Sequence, residues 1–263
     1  MREVSFPVRS LGSAKPVSPT VTDLGEWVRL HKGQATDLIT WEVEETLKPQ
    51  VPAATIPAAG GVFYGDRITA AFSNVANGHI SDEFDLRTED ILADCRAAGK
   101  IVRGCWWAVP APQTLHLADA YFDDDDEAAE ALADAMTRIC RLMRDAGAAG
   151  HVLIYDDDPG SMDLEYFLGK RFLRYVPDAF LENVLEVQQD LILSAEAVPH
   201  IAELANSYTI RQVYVTDPDA KTLIEICRLF DPEEILLAGT APEAEQQGYW
   251  EGLAELRIRV ADV

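Results

Sequence analysis

Apolar residues along the chain alternate between continuous runs of strand type and stretches at helical spacing. Arg211-Gln-Val-Tyr-Val-Thr is a β-branched, aromatic run that predicts a strand. Ala220–Phe230 then places Leu223, Ile224, Ile226, Cys227 and Phe230 on a helical stripe. Pro232 ends the helix, and Glu234-Ile-Leu-Leu-Ala resumes as a buried strand before Gly239. A βαβ unit of this kind feeds a parallel sheet. The same alternation predicts a strand over Asp66–Ser73 ending at Asn74, a helix over Thr88–Ala98 and a strand over Lys100–Val109. It continues as a long helix from Asp123 to Arg144, strands at His151–Tyr155 and Phe172–Val176, a helix over Leu191–Ala205, and a closing strand over Leu256–Val260. The expected fold is α/β, with a mostly parallel central sheet and helices on both faces.

The first sixty residues read differently. Pro7, Pro16 and Pro19 punctuate an irregular start, and 23–48 carries two amphipathic helical stretches, one with Trp27 and one with Trp41. A Pro/Ala/Gly connector follows, from Pro49 to Gly61. Residues 1–60 are therefore expected to form a helical extension that packs on the domain, on a protein partner or on a second copy. The main domain is expected over 61–263.

Composition narrows the class. Hydrophobic residues make up 48% of 263, enough for a substantial core. No apolar run approaches a membrane span, and Met1-Arg-Glu-Val-Ser-Phe-Pro lacks the apolar stretch of a signal peptide, so no membrane partner and a cytoplasmic location are expected. Cys95, Cys105, Cys140 and Cys227 are scattered without zinc-ligand spacing and read as reduced core thiols. The net charge is −23, with six lysines beside sixteen arginines. Any basic footprint for nucleic acid must then be local, and the acid excess also suits a high-salt cytoplasm.

Candidate chemistry gathers at the corner Asp217-Pro218-Asp219, because open parallel sheets bind ligands beyond the carboxyl ends of their strands. Two carboxylates one residue apart can share a hard divalent cation; the same residues also make an N-cap and a favourable first helical turn. The acid run Asp123–Asp126 reads as a helix start, complemented by Arg138, Arg141 and Arg144 towards the other end. Those three arginines, and the cluster Lys170, Arg171 and Arg174, are candidate phosphate contacts; a solvated helix face is the plainer role. Trp106 and Trp107 point to opposite faces of a strand and favour packing over base stacking. His79 lies close to Asn77, whereas His116, His151 and His200 show no partner spacing. Asp156–Asp158 reads as either a turn or a cation site.

Three segments together resemble the NYN family of PIN-like nucleases. Ala70-Ala71-Phe72-Ser73-Asn74-Val75-Ala76-Asn77 is similar to that family's first strand, with Asn77 on its Asn and Asn74 where it has a metal-binding Asp. Val213–Ala220 is similar to its strand ending in an Asp-x-Asp corner. Val187–Ala195 resembles its acidic helix start, with Gln188 and Ser194 at the two acidic positions and Asp190 nearby. The resemblance spans roughly 66–260, with an apparent insertion around 110–180. It implies a PIN/NYN-like domain acting on RNA as a ribonuclease that depends on Mg²⁺ or Mn²⁺. Asp217, Asp219 and Asp190 would be metal ligands, and Asn74 and Asn77 would join Asp217 and Asp219 in catalysis. The neutral Asn74, Gln188 and Ser194 imply a weakened enzyme, or an inactive derivative serving as a protein-interaction module.

Overall fold

The computed structural model describes residues 2–243 and 246–260. Among the described residues the strands are β1 Arg2–Ser5, β2 Val8–Ser13, β3 Ala58–Gly60, β4 Val75–Ala76, β5 His79–Ile80, β6 Trp106–Pro110, β7 Ala118–Asp119, β8 His151–Ile154, β9 Phe172–Tyr175, β10 Asp190–Ser194, β11 Gln212–Thr216, β12 Ile235–Ala241 and β13 Arg257–Val260. Helices are α1 Val21–Leu30, α2 Leu38–Leu47, α3 Gly65–Ala71, α4 Glu89–Ile101, α5 Asp125–Asp145, α6 Gly160–Tyr166, α7 Leu181–Leu185, α8 Ile201–Ser207, α9 Ala220–Ile226 and α10 Gln246–Glu255.

Eight strands run parallel and close on themselves. β10, β11, β12 and β2 form one ladder, and β3, β6, β8 and β9 form another. Parallel bridges Arg9–Ile56 and Ser13–Gly61 join β2 to β3. Across the remaining seam, between β9 and β10, Arg174 N–H donates to Gln188 Oε1 at 3.3 Å and Ser194 N–H to Asp178 Oδ1 at 3.0 Å. The result is a (β/α)8 barrel, with the chain alternating between an inner ring of strands and an outer ring of helices.

Alternation along the strands sorts the core into two shells. Leu11, Ala58, Ala108, Val152, Ile154, Leu173, Ile192, Tyr214, Leu236 and Ala238 meet inside the barrel, and every one of the eight strands contributes. Between barrel and helices lies the larger shell, where Trp107, Val109 and Leu153 pack with Met136, Ile139, Cys140 and Met143 of α5. His151 belongs to this shell: it is fully buried, its Nε2 lies 3.0 Å from the Cys140 carbonyl, and burial pushes its pKa down to about 3. On the outside, Asp94 of α4 accepts from Thr40, Tyr64 and Arg67 at 2.7 to 2.9 Å, tying α2 and α3 to α4.

Several sequence expectations change. Asp66–Ser73 is not a strand, because Gly65–Ala71 forms α3. Leu191–Ala205 splits into strand β10 and helix α8, so Gln188 and Ser194 flank a strand rather than start a helix. Residues 1–60 supply barrel strands β2 and β3 as well as α1 and α2, in which Trp27 and Trp41 are buried. The segment read as an insertion carries β8 and β9, two of the eight staves. The closing strand β13 pairs antiparallel with β1 outside the barrel. The parallel α/β class stands, but as a closed barrel whose inner face is filled by side chains rather than an open sheet with helices on both faces.

Candidate functional site

The carboxyl ends of the eight strands define one mouth, the face on which barrels of this kind carry their chemistry. Asp217 lies there, immediately after β11. Its backbone is left-handed, with φ +46°, which is uncommon for a residue bearing a side chain. The phenol of Tyr249 on α10 donates to Asp217 Oδ1 at 2.6 Å. That approach depends on Gly239 in β12, where a Cβ would stand 1.8 Å from the Tyr249 hydroxyl. Burial, then Asp217, push the Tyr249 pKa well above the usual tyrosine value, so the phenol stays a donor. Tyr175, at the end of β9, has its pKa raised by burial and by Asp217 and Asp178. Two inward hydroxyls complete this side: Ser13 Oγ at the end of β2 and Thr240 Oγ1 on β12 are buried and have no hydrogen-bond partner among the described residues.

Across the mouth, the loops after β6 and β8 bring together a second group. His116 Nε2 lies 2.8 Å from Asp156 Oδ2, and Thr114 Oγ1 donates to Asp156 Oδ1 at 3.1 Å. His116 is also left-handed, with φ +48°. An imidazole held by a carboxylate is the arrangement that orients a general acid or base. A cleft of about 400 Å³ opens beside it, lined by His116, Asp119, Asp125, Asp126, Ser161 and Asp163. Asp163 is buried with Oδ2 unpartnered, and desolvation raises its pKa to about 7 against the opposing pull of Arg174. Asp156 and His116 stand forty residues apart in sequence, so spacing alone gave no sign of the pair; strand ends on one face would have been the signal.

The residues expected to share a metal do not converge. Asp219 caps α9, accepting from Thr222 N–H at 2.7 Å, and that bond lowers its pKa. Asp190 opens β10 at the opposite pole and pairs with Arg211 at 2.6 Å, a full strand length from Asp217. Asn74 donates to the Glu83 carbonyl at 2.6 Å, and Asn77 with Gly78 turns the small hairpin β4–β5. Arg138 and Arg141 are exposed on α5, whereas Arg144 is half-buried with its guanidinium 5.2 Å from the Phe172 ring. Lys170 and Arg171 are exposed just before β9, also at the pole away from the mouth. Asp158 accepts from Asn183 and from Gly160 N–H, which is turn chemistry. Among the described residues, no three His, Cys, Asp or Glu side chains are grouped to hold a metal ion.

No protein-family model matches the chain, and no curated protein matches it significantly. Solved structures do. One is a protein from Listeria monocytogenes assigned as a vitamin-B12-independent methionine synthase: TM-score 0.62, 15% identity, covering 92% of this chain and 93% of the other. Another is a B12-independent methionine synthase from Shewanella sp. W3-18-1 in complex with selenomethionine: TM-score 0.65, 13% identity, 95% and 96% covered. These likenesses overturn the NYN resemblance and, with it, the metal-dependent ribonuclease, its RNA substrate and the nuclease-derived interaction module. The physical reason is topological: helix α3, not a strand, leads into the hairpin at Asn74 and Asn77, and that hairpin pairs with β7 outside the barrel sheet. What the comparisons establish is the fold.

Proposed function

We propose that this chain binds a small amine-bearing ligand of the amino-acid class at the carboxyl mouth of its barrel. The observation that carries the reading is the ring of carboxylates Asp156, Asp178 and Asp217 around strand ends that also hold the unpartnered hydroxyls of Ser13 and Thr240. Carboxylates suit an ammonium group, and buried hydroxyls without partners suit a ligand that completes their hydrogen bonds. The selenomethionine in the Shewanella protein supports a ligand of that size and class on this fold. His116, backed by Asp156, supplies the acid–base group beside it.

The mouth does not support the neighbours' methionine synthase activity. Forming methionine by methyl transfer needs a sulfur nucleophile, which proteins generate in a strongly electropositive setting or on zinc held by cysteine and histidine. Here Cys95 and Cys140 lie on helices, Cys105 precedes β6 at the amino pole, and Cys227 follows α9. The donor set at the mouth does not fit such a metal, and no step is assigned to one.

Thermal melts of the full chain against a panel of α-amino acids, including methionine, and their des-amino analogues test the reading. A ligand at a hundred times its Kd should add roughly 2.7 kcal/mol of stability, and Asp217→Asn should abolish that gain without altering the unliganded melt by more than about 2 °C. A gain that survives Asp217→Asn, equal gains from the des-amino analogues, or no gain at all would overturn it.

A further inference from the structure

The opposite pole of the barrel holds a second cavity, of about 500 Å³. Its lining includes Arg9, Arg103, Lys170 and Arg211, with Asp190 as counter-charge and Trp106 among the apolar walls. Asp190 is already engaged by Arg211, at 2.9 and 2.6 Å. Arg9 differs from the other cations. It enters the barrel from β2, is only 3% exposed, and its guanidinium lies 3.9 Å above the Trp106 ring and 5.4 Å from that of Tyr214. Its Nε and Nη2 have no hydrogen-bond partner among the described residues. Stacking on aromatic faces offsets part of the cost of burying a cation, but a guanidinium with two of its three nitrogens unpartnered keeps much of its charge uncompensated. Burial accordingly lowers its pKa, to about 10, still charged at neutral pH. In a chain of net charge −23, gathering cations at one pole needs a reason that solubility does not supply.

We propose that this basal cavity binds a phosphate group, free or carried on a small ester, with Arg9 at its floor and Arg103 and Lys170 at its rim. The planar guanidinium and the excess of cations match a dianion better than a monocarboxylate. Trp106 and Phe172 give an esterified organic group an apolar wall, and the cavity exceeds what a bare phosphate fills. The site is separate from the mouth, so it stands or falls independently of the amine-bearing ligand proposed there.

Isothermal titration of the full chain with inorganic phosphate, glycerol 3-phosphate and phenyl phosphate tests it, with potassium chloride at matched ionic strength as reference. Saturable one-site binding is expected, weakened about tenfold or more by Arg9→Met and by the double change Arg103→Ala with Lys170→Ala. The second variant touches only exposed side chains, so it decides the matter even if Arg9→Met does not fold. Esters binding at least about tenfold tighter than inorganic phosphate assign the site to a phosphorylated metabolite; equal affinity assigns it to the free ion. No saturable heat, an effect equalled by chloride, or affinity unchanged in the double variant would overturn the proposal.

Discussion

The two poles of this barrel are built from the same eight strands, yet their polar groups oppose each other. At the carboxyl mouth stand Asp156, Asp178 and Asp217, a buried acid at Asp163 and two unpartnered hydroxyls. At the amino pole stand Arg9, Arg103, Lys170 and Arg211, with Asp190 between them. The apolar layers of Leu11, Val152, Ile192 and Leu236 separate the two. A filled barrel thus insulates two polar surfaces, and each can take a ligand of opposite sign without screening the other.

The poles also differ in how tightly the backbone is packed, and that contrast should give the largest effect. At the mouth, Gly61 has φ +145°, and a Cβ there would stand 1.9 Å from the Ser13 carbonyl oxygen. At the base, Gly104 has φ +67° with nothing within 4 Å. Gly61→Ala should cost on the order of 3 kcal/mol or more, because backbone rather than a mobile side chain must move. Gly104→Ala should cost only about 1 kcal/mol, the strain of a left-handed alanine. Urea titrations of both variants check this; equal losses would erase the distinction between tight backbone packing at Gly61 and free space at Gly104.

Asp163 gives a smaller effect that depends on pH. Its folded pKa of about 7 lies above the ordinary aspartate value of 3.8, so the folded chain holds a proton that the unfolded chain releases. That contribution is fully present below about pH 4 and is lost as pH rises through about 7. Asp163→Asn removes the titration, so the variant should gain stability relative to the native chain between those limits, by roughly 1–3 kcal/mol. Chemical denaturation of both proteins at pH 4, 6 and 8 measures the difference. A constant difference across the series would show that Asp163 does not titrate in this window.

The smallest change belongs to Asp190. Its pair with Arg211 is partly exposed, so Asp190→Asn should alter stability by less than about 1 kcal/mol. The same substitution removes the basal counter-charge, and phosphate affinity in the titration should rise about threefold. Weaker phosphate binding after Asp190→Asn would mean that the carboxylate orients the cations rather than opposing the ligand.

Much of the architecture was legible from residue pattern. The long helix α5, the strands β8, β9 and β11, and the strand–helix–strand unit from Arg211 to Gly239 all carry strong periodicity. The failures share a cause. β10 reads Asp190-Leu-Ile-Leu-Ser, and a short run with its middle buried on both faces cannot be told from a buried helix by period alone. β3 is Ala58-Ala59-Gly60, which lacks any strand-type side chain because the barrel wall is crowded there. Without β2 and β3 the sheet has edges, and an open sheet invites the reading that put Asn74 beside Asp217. Asp217 itself was legible as a strand end. His116 and Asp156, forty residues apart in sequence, were not, since the parallel pairing of β6 with β8 is what brings the loops after them together.

Asp217 has one more consequence. A glycine would occupy its left-handed backbone position without strain, and an asparagine with less than most residues. The carboxylate thus stands at a position where glycine would relax the backbone, and the bond from Tyr249 offsets part of that strain. Among homologues, the occupant of this position would distinguish lineages that use the mouth from those that retain only the barrel.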